Sequence, residues 1–239
     1  MKKPFFIALI ICTSLFLTTG CNIIDNGNVK EESISVKKDK AKELDVDLNL
    51  GVGEMTVKQG TNEWVKGNIS YNNKNLKPKV SYDLKGTTGK VQINQTKKHF
   101  SNVKIGKKIN KWDLELSNKV PINLDVNTGA SKTNLDLQGL NLKKIDIETG
   151  VGELNVNLGG DWKHNLEANI ETGVGKTTIT VPSDIGVKIV SSKGIGKSNV
   201  IDLISKGNGV FVNEAYKDAT VIMTVNMDMG IGEVTFNLE

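Results

Sequence analysis

Apolar and polar residues alternate on either side of a short glycine motif, and the arrangement recurs along the chain. Leu124 and Val126, Ile145 and Ile147, then Ala168 and Ile170 precede the motif; Leu135 and Leu137, then Leu154, Val156 and Leu158, then Ile179 and Val181 follow it. A period of two with β-branched enrichment predicts half-buried strands. The motif is Gly51-Val52-Gly53-Glu54, and it returns at Gly150-Val151-Gly152-Glu153, Gly173-Val174-Gly175-Lys176, Gly194-Ile195-Gly196-Lys197 and Gly230-Ile231-Gly232-Glu233, with a degenerate copy at Gly129-Ala130-Ser131-Lys132. Successive central copies lie 21, 23 and 21 residues apart. Each unit therefore reads as strand, glycine corner, strand. Glycine allows positive φ at the corner, Gly173 included, without a Cβ clash, and the Val or Ile between the glycines is expected to tuck inward. A unit of about 20 residues cannot bury its own face, so units must stack as in a solenoid. The expected fold is all-β: a β-solenoid of strand–GxG corner–strand repeats with a looser β N-terminal subdomain.

The N-terminus has a different pattern. Lys2 and Lys3 precede an apolar run from Phe5 to Leu17, the arrangement of a secretory signal peptide. The run is shorter than the ~20 residues a spanning helix needs. It ends in Leu17-Thr18-Thr19-Gly20-Cys21, which resembles a bacterial lipobox, with the usual Leu one position further from the Cys. That resemblance implies cleavage before Cys21 and a diacylglyceryl group on its thiol. Cys12 lies inside the signal, leaving Cys21 as the single thiol of the mature chain, and lipidation explains a leftover cysteine in an exported protein.

The expected organisation is a signal peptide over 1–20, a flexible tether over 21–42, an N-terminal β subdomain over 43–119 and the repeat solenoid over 120–239. The tether follows from a polar composition with ten charges, five of each sign, between Asn22 and Glu43. The stretch from Asp202 to Asp218 is expected as an insertion capping the open edge of the stack.

The corners, together with Glu63-Trp64-Val65-Lys66-Gly67, Trp112-Asp113-Leu114-Glu115-Leu116 and Val120-Pro121-Ile122, resemble the bacterial toast-rack proteins. That family includes the C-terminal region of LiaF-like cell-wall-active antibiotic response proteins. The resemblance runs from about Glu43 to the end. It implies a β-repeat envelope protein linked to cell-envelope stress, with no catalytic residues to carry over.

Composition narrows the chemistry. The 31 basic residues, all Lys, against 27 acidic ones give +4, too balanced for a dedicated nucleic-acid binder. Without Arg there is no planar fork for phosphates or carboxylates, and two His with two Cys do not assemble a structural zinc cluster. Glu171-Thr172-Gly173-Val174-Gly175-Lys176-Thr177-Thr178 looks like the end of a P-loop, but Ile170 stands where its first Gly is required and strand follows it. In-register stacking would line up Lys132, Glu153, Lys176 and Lys197, and also Asn134, Asn155 and Asn199. The acidic set before the corners (Asp125, Asn127, Asp146, Glu148, Asn169, Glu171) falls on an open face without a cleft, so neither a cation cage nor a glycosidase pair follows. His99 and His164 lie in polar loops. Trp64 and Trp112 are expected to cover the N-terminal core. No cofactor and no metal are implied.

One stretch is basic throughout: Lys97, Lys98, Lys104, Lys107, Lys108 and Lys111, with no acid among them. Its sharper reading is contact with anionic lipid or wall polymer. The expected function is a non-catalytic, membrane-anchored surface lipoprotein of a Gram-positive bacterium that serves as an interaction or sensing module of the envelope, with work in an envelope-stress response implied by the resemblance. An adhesin or wall-polymer-binding protein is the alternative.

Overall fold

The structure is a computed structural model and describes residues 28–95 and 108–239. Those residues form thirteen strands and two short 3-10 turns. Six strands are long and carry a corner: β2 (Glu43–Gln59), β7 (Ile122–Asp136), β8 (Leu142–Asn157), β9 (Leu166–Val181), β10 (Gly186–Val200) and β13 (Ile222–Leu238). The others are β1 (Lys30–Val36), β3 (Val65–Tyr71), β4 (Pro78–Lys85), β5 (Thr88–Gln95), β6 (Asn110–Leu116), β11 (Ile204–Gly207) and β12 (Val210–Val212). The long strands stack in parallel and in register, corner beside corner, as a β-solenoid.

The stack does not follow chain order. It runs β2-β7-β8-β9-β13-β10, so the final strand fills a slot between β9 and β10. Met223, Val225, Met227, Met229, Val234 and Phe236 point into the core from that slot, each at most 2% exposed. The insertion before β13 caps half of an edge: β12 pairs with Lys188–Val190 before the corner of β10, and β11 pairs with β12. Among the described residues, the part of β10 beyond its corner gains no strand on that side.

At the other end the two arms of β2 take different partners. Its first arm pairs with β5, which pairs with β4; its second arm pairs with β6, then β3, then β1. β2 is also paired along its length with β7, so the N-terminal region shares one sheet and one core with the repeats.

The stretch expected as tether contains β1, which pairs antiparallel with β3 from Lys30↔Tyr71 to Val36↔Val65. Ile34 and Val36 supply its inward face, and Asp39 then fixes the chain by accepting from Trp64 Nε1 at 3.0 Å, Tyr82 Oη at 2.8 Å and Ala41 N at 3.0 Å. Trp64 and Trp112 are 1% and 0% exposed and fill the N-terminal core.

Candidate interaction surface at the corner

Inward residues of β8 are Ile147 and Thr149 before the corner and Leu154 and Val156 after it. The inward set changes parity there, so four successive residues, 150–153, stay out of the core. The Val between the glycines therefore lies outside the bend, contrary to the expectation that it tucks inward. Val151 is 54% exposed, Val174 45%, Ile231 49% and Ile195 72%.

The two corner glycines have different causes. Gly175 sits at φ +150°, and a Cβ there would lie 1.8 Å from the carbonyl oxygen of Gly152. Gly173 is not at positive φ; its restriction is space alone, with an added Cβ 2.4 Å from the Gly150 carbonyl oxygen. Glycine thus lets neighbouring corners approach closely enough to keep the stack in register.

Register turns the repeated positions into rows across the strands. Val52, Ala130, Val151, Val174, Ile231 and Ile195 form a continuous aliphatic row, about 24 Å long at ~4.8 Å per strand; Val52 is half-buried against the core, and the exposed ridge runs from Ala130 to Ile195. A contiguous exposed apolar patch on a folded protein marks a contact surface. Two residues beyond the ridge runs a charged row: Lys111, Glu54, Lys132, Glu153, Lys176, Glu233, Lys197. The expected ladder missed Glu233, which separates Lys176 from Lys197. Lys132 Nζ lies 3.3 Å from Glu153. Hydrogen bonding from Asn155, then from Lys132, holds the Glu153 carboxyl below the usual range. In the asparagine row, Asn155 donates to Asn134 at 2.9 Å, while Thr178 and Thr235 stand between Asn155 and Asn199.

On the other side of the ridge a groove of about 610 Å³ crosses the strands. Gly51, Gly129, Gly150 and Gly173 line it, with Thr128, Thr149 and Thr172, the amides of Asn49, Gln95 and Asn127, and the carboxylates Glu148, Glu171 and Asp228. Gln95, at the end of β5, closes the β2 end by accepting from Gly51 N at 2.9 Å and Val52 N at 3.1 Å.

Further from the corner, Asp47, Asp125 and Asp146 stand side by side. Burial, then the flanking Asp47 and Asp146, raise the Asp125 carboxyl above its ordinary value. Burial pushes Asp146 up too, but hydrogen bonds from Lys144 and Asn169 outweigh it and leave that carboxyl below its ordinary value. Among the described residues, no three His, Cys, Asp or Glu are arranged to hold a metal ion.

The Toast_rack_N family, described as the N-terminal domain of toast_rack (DUF2154), matches residues 25–180. The chain belongs to this family. The toast-rack chain is also similar in structure to a Clostridium sporogenes ATCC 15579 protein provisionally named a cell adhesion protein: 29% identity, 89% of this chain and 100% of that one, TM-score 0.85. A Bacteroides fragilis NCTC 9343 protein provisionally named an adhesin matches at 15% identity over 87% of this chain and 97% of that one, with a TM-score of 0.29. No curated protein matches.

Of the residues singled out in the toast-rack sequence, Cys21, Lys97, Lys98, His99, Lys104 and Lys107 lie outside the described residues. Lys108 precedes β6. Lys111 belongs to β6, in register with Glu54 and 3.1 Å from Asp113, so strand pairing and an ion pair engage it. The P-loop-like segment is continuous strand in β9. His164 contacts Asn165 O and Asn141 Oδ1, each at 3.1 Å. All three Trp are buried, so no Trp among them anchors a partner. The groove escaped sequence reading because six strands build it and glycine backbone forms much of its lining; the pairing of Glu148 with Glu171 across adjacent repeats was its one visible sign.

Proposed function

We propose that this toast-rack protein is a non-catalytic surface lipoprotein, anchored by acylated Cys21 to the outer face of the cytoplasmic membrane of a Gram-positive bacterium. Its role is that of an interaction or sensing module in an envelope-stress response. The aliphatic ridge along the corner carries this reading: an exposed apolar stripe crossing five strands, from Ala130 to Ile195, with charged or polar rows on both sides, suits a protein partner better than a reaction. Two acyl chains hold a protein firmly where one is marginal. Lysines 97, 98, 104, 107, 108 and 111 are assigned to contact with anionic lipid or wall polymer, in addition to any structural role. The similarity to the Clostridium protein favours a second reading, adhesion or wall-polymer binding.

Cell fractionation of wild-type protein and Cys21→Ala tests the anchor. The substituted protein should leave the membrane pool; equal membrane retention would refute the anchor. Capture of a specific membrane protein favours the sensing reading, whereas retention on isolated wall favours the adhesin.

A further inference from the structure

We infer that the open outer arm of β10 takes a strand from another protein, parallel and in register, whose residues follow the order glycine, aliphatic, glycine, acid. The inference rests on the reading of the protein as an interaction module and deepens it by naming the segment that one edge accepts. β12 pairs with β10 only at Lys188–Val190, and Ser191 N donates to Gly209 O at 2.8 Å where that hairpin turns away. β13 lines both arms of β10 on its other side. Among the described residues, no strand pairs with the free side of β10 from Lys193 to Val200. Ile201 N donates to Phe236 O at 3.0 Å, so by the alternation along a strand the amides and carbonyls of Ser198 and Val200 point away from β13, out of the sheet edge. An edge of this kind binds an extended segment through main-chain hydrogen bonds.

Three rows stop at this edge, and together they specify the incoming strand. The charged row ends on Lys197, which among the described residues has Glu233 on one side and no cross-strand neighbour on the other; an acid in the next position continues the alternation. The exposed ridge ends on Ile195, 72% exposed against 49% for Ile231 beside it, and a further aliphatic residue would cover it. The corner glycines set the third condition. An added Cβ on Gly230 or Gly232 would meet the carbonyl oxygen of Gly173 or Gly175, and one on Gly194 or Gly196 that of Gly230 or Gly232, at 1.8–2.6 Å. The carbonyls of Gly194 and Gly196 are the next pair in that series, so a strand seated on them in register must itself carry glycine at both positions. Inward, Ser198 and Val200 are half-buried where Val234 and Phe236 of β13 are fully buried, so apolar residues beyond the acid would complete the last layer of the core. A second copy of this chain does not fit. Lys193 to Val200 holds two lysines and no acid, so two such edges repel, and the acidic corners of β2, β8 and β13 already have strands on both sides. The lysines guard the edge against self-pairing and leave it open to an acidic strand.

Fluorescence anisotropy of the full lipoprotein in neutral detergent tests the assignment, with a labelled peptide of the β13 corner and outer arm, Gly-Ile-Gly-Glu-Val-Thr-Phe-Asn-Leu (residues 230–238), as the probe. The peptide should bind at low salt, and the same peptide with lysine in place of its glutamate about tenfold more weakly. Lys197→Glu should reverse that order. Ser198→Pro, which removes an outward donor and leaves the bonds to β13, should weaken both peptides. Val151→Asp with Val174→Asp, on β8 and β9, should change neither. Equal binding of the two peptides to the wild-type protein would overturn the proposal, as would an order that Lys197→Glu fails to reverse. A wild-type dimer returned to monomer by Ser198→Pro would also overturn it, since a second copy would then be the occupant. Circular dichroism confirms that each variant is folded, and the charge reversal decides alone if Ser198→Pro is not. Failure of the peptide leaves capture of an envelope partner by the ridge standing, whereas failure of that capture with the peptide still bound removes the ridge and leaves the edge.

Discussion

Lys176 of β9 lies in register with Glu233 of β13, the last strand of the chain, and not with Lys197 of β10, the next corner in sequence. Stacking in chain order would place Lys176 beside Lys197. Insertion of β13 between them completes a lysine–glutamate alternation from Lys111 to Lys197. Opposite-charge cross-strand pairs contribute about 0.2–1 kcal/mol each, and like pairs cost a similar amount. The charges therefore help select the strand order, while the inward residues of β13 supply most of the energy by burial.

Glu233→Lys replaces two favourable neighbours with two repulsive ones. It should destabilise the protein by about 1–3 kcal/mol at low salt, and high salt should recover part of the loss because exposed charges are screened. Lys197→Glu, with a ladder neighbour on one side only, should cost less. Denaturant melts at two salt concentrations check both. A salt-independent loss for Glu233→Lys would assign the effect to packing instead of charge.

Gly175→Ala meets both positive φ and a carbonyl 1.8 Å from the new Cβ. The stack must shift to accept it, and a loss of about 2–4 kcal/mol is expected. Gly86→Ala provides the contrast: φ is +61° but nothing lies within 4 Å, so only the left-handed backbone penalty of about 1 kcal/mol applies. Equal losses in chemical denaturation would mean that close approach between corners does not limit the fold.

The strands and corners were legible because period-two alternation and the glycine motif are both local signals. The slot taken by β13 was not, because Gly230-Ile231-Gly232 reads like every other corner; only the sign of Glu233 among lysines hinted at its neighbours. β1 was obscured by its charges, with Ile34 and Val36 as its sole inward apolar pair. The outward position of Val151 was recoverable from the change of parity between Ile147 and Leu154, but alternation read one arm at a time passes over it. Gly173 was expected to need positive φ, whereas Gly175 takes that conformation and Gly173 answers to the neighbouring carbonyl.

Asp125→Asn removes a carboxylate set between Asp47 and Asp146. The folded-state pKa of Asp125 is raised, so the folded protein binds the proton more tightly than the unfolded chain. Its ionisation therefore costs stability as pH rises from the unfolded to the folded pKa, and the cost persists above it. The substitution should raise the melting temperature at neutral pH, and the gain should fade as pH falls through the carboxylate range. Glu43 has the opposite sign: the Lys143 hydrogen bond, opposed by burial, lowers its pKa, so its contribution is present above the ordinary glutamate range and lost as pH falls. Thermal melts across that range check both signs, and an Asp125→Asn gain that grew in acid would contradict the assignment.

The claim that the outer corner is the contact surface is tested most directly by capture from solubilised envelope. Wild-type lipoprotein would be compared with a variant carrying Val151→Asp, Val174→Asp and Ile231→Asp on the ridge. These side chains point away from the core, so the variant should fold and keep its strand signal by circular dichroism. The account predicts that wild-type protein retains a specific envelope partner and the folded variant loses it. Equal retention by both proteins would contradict it.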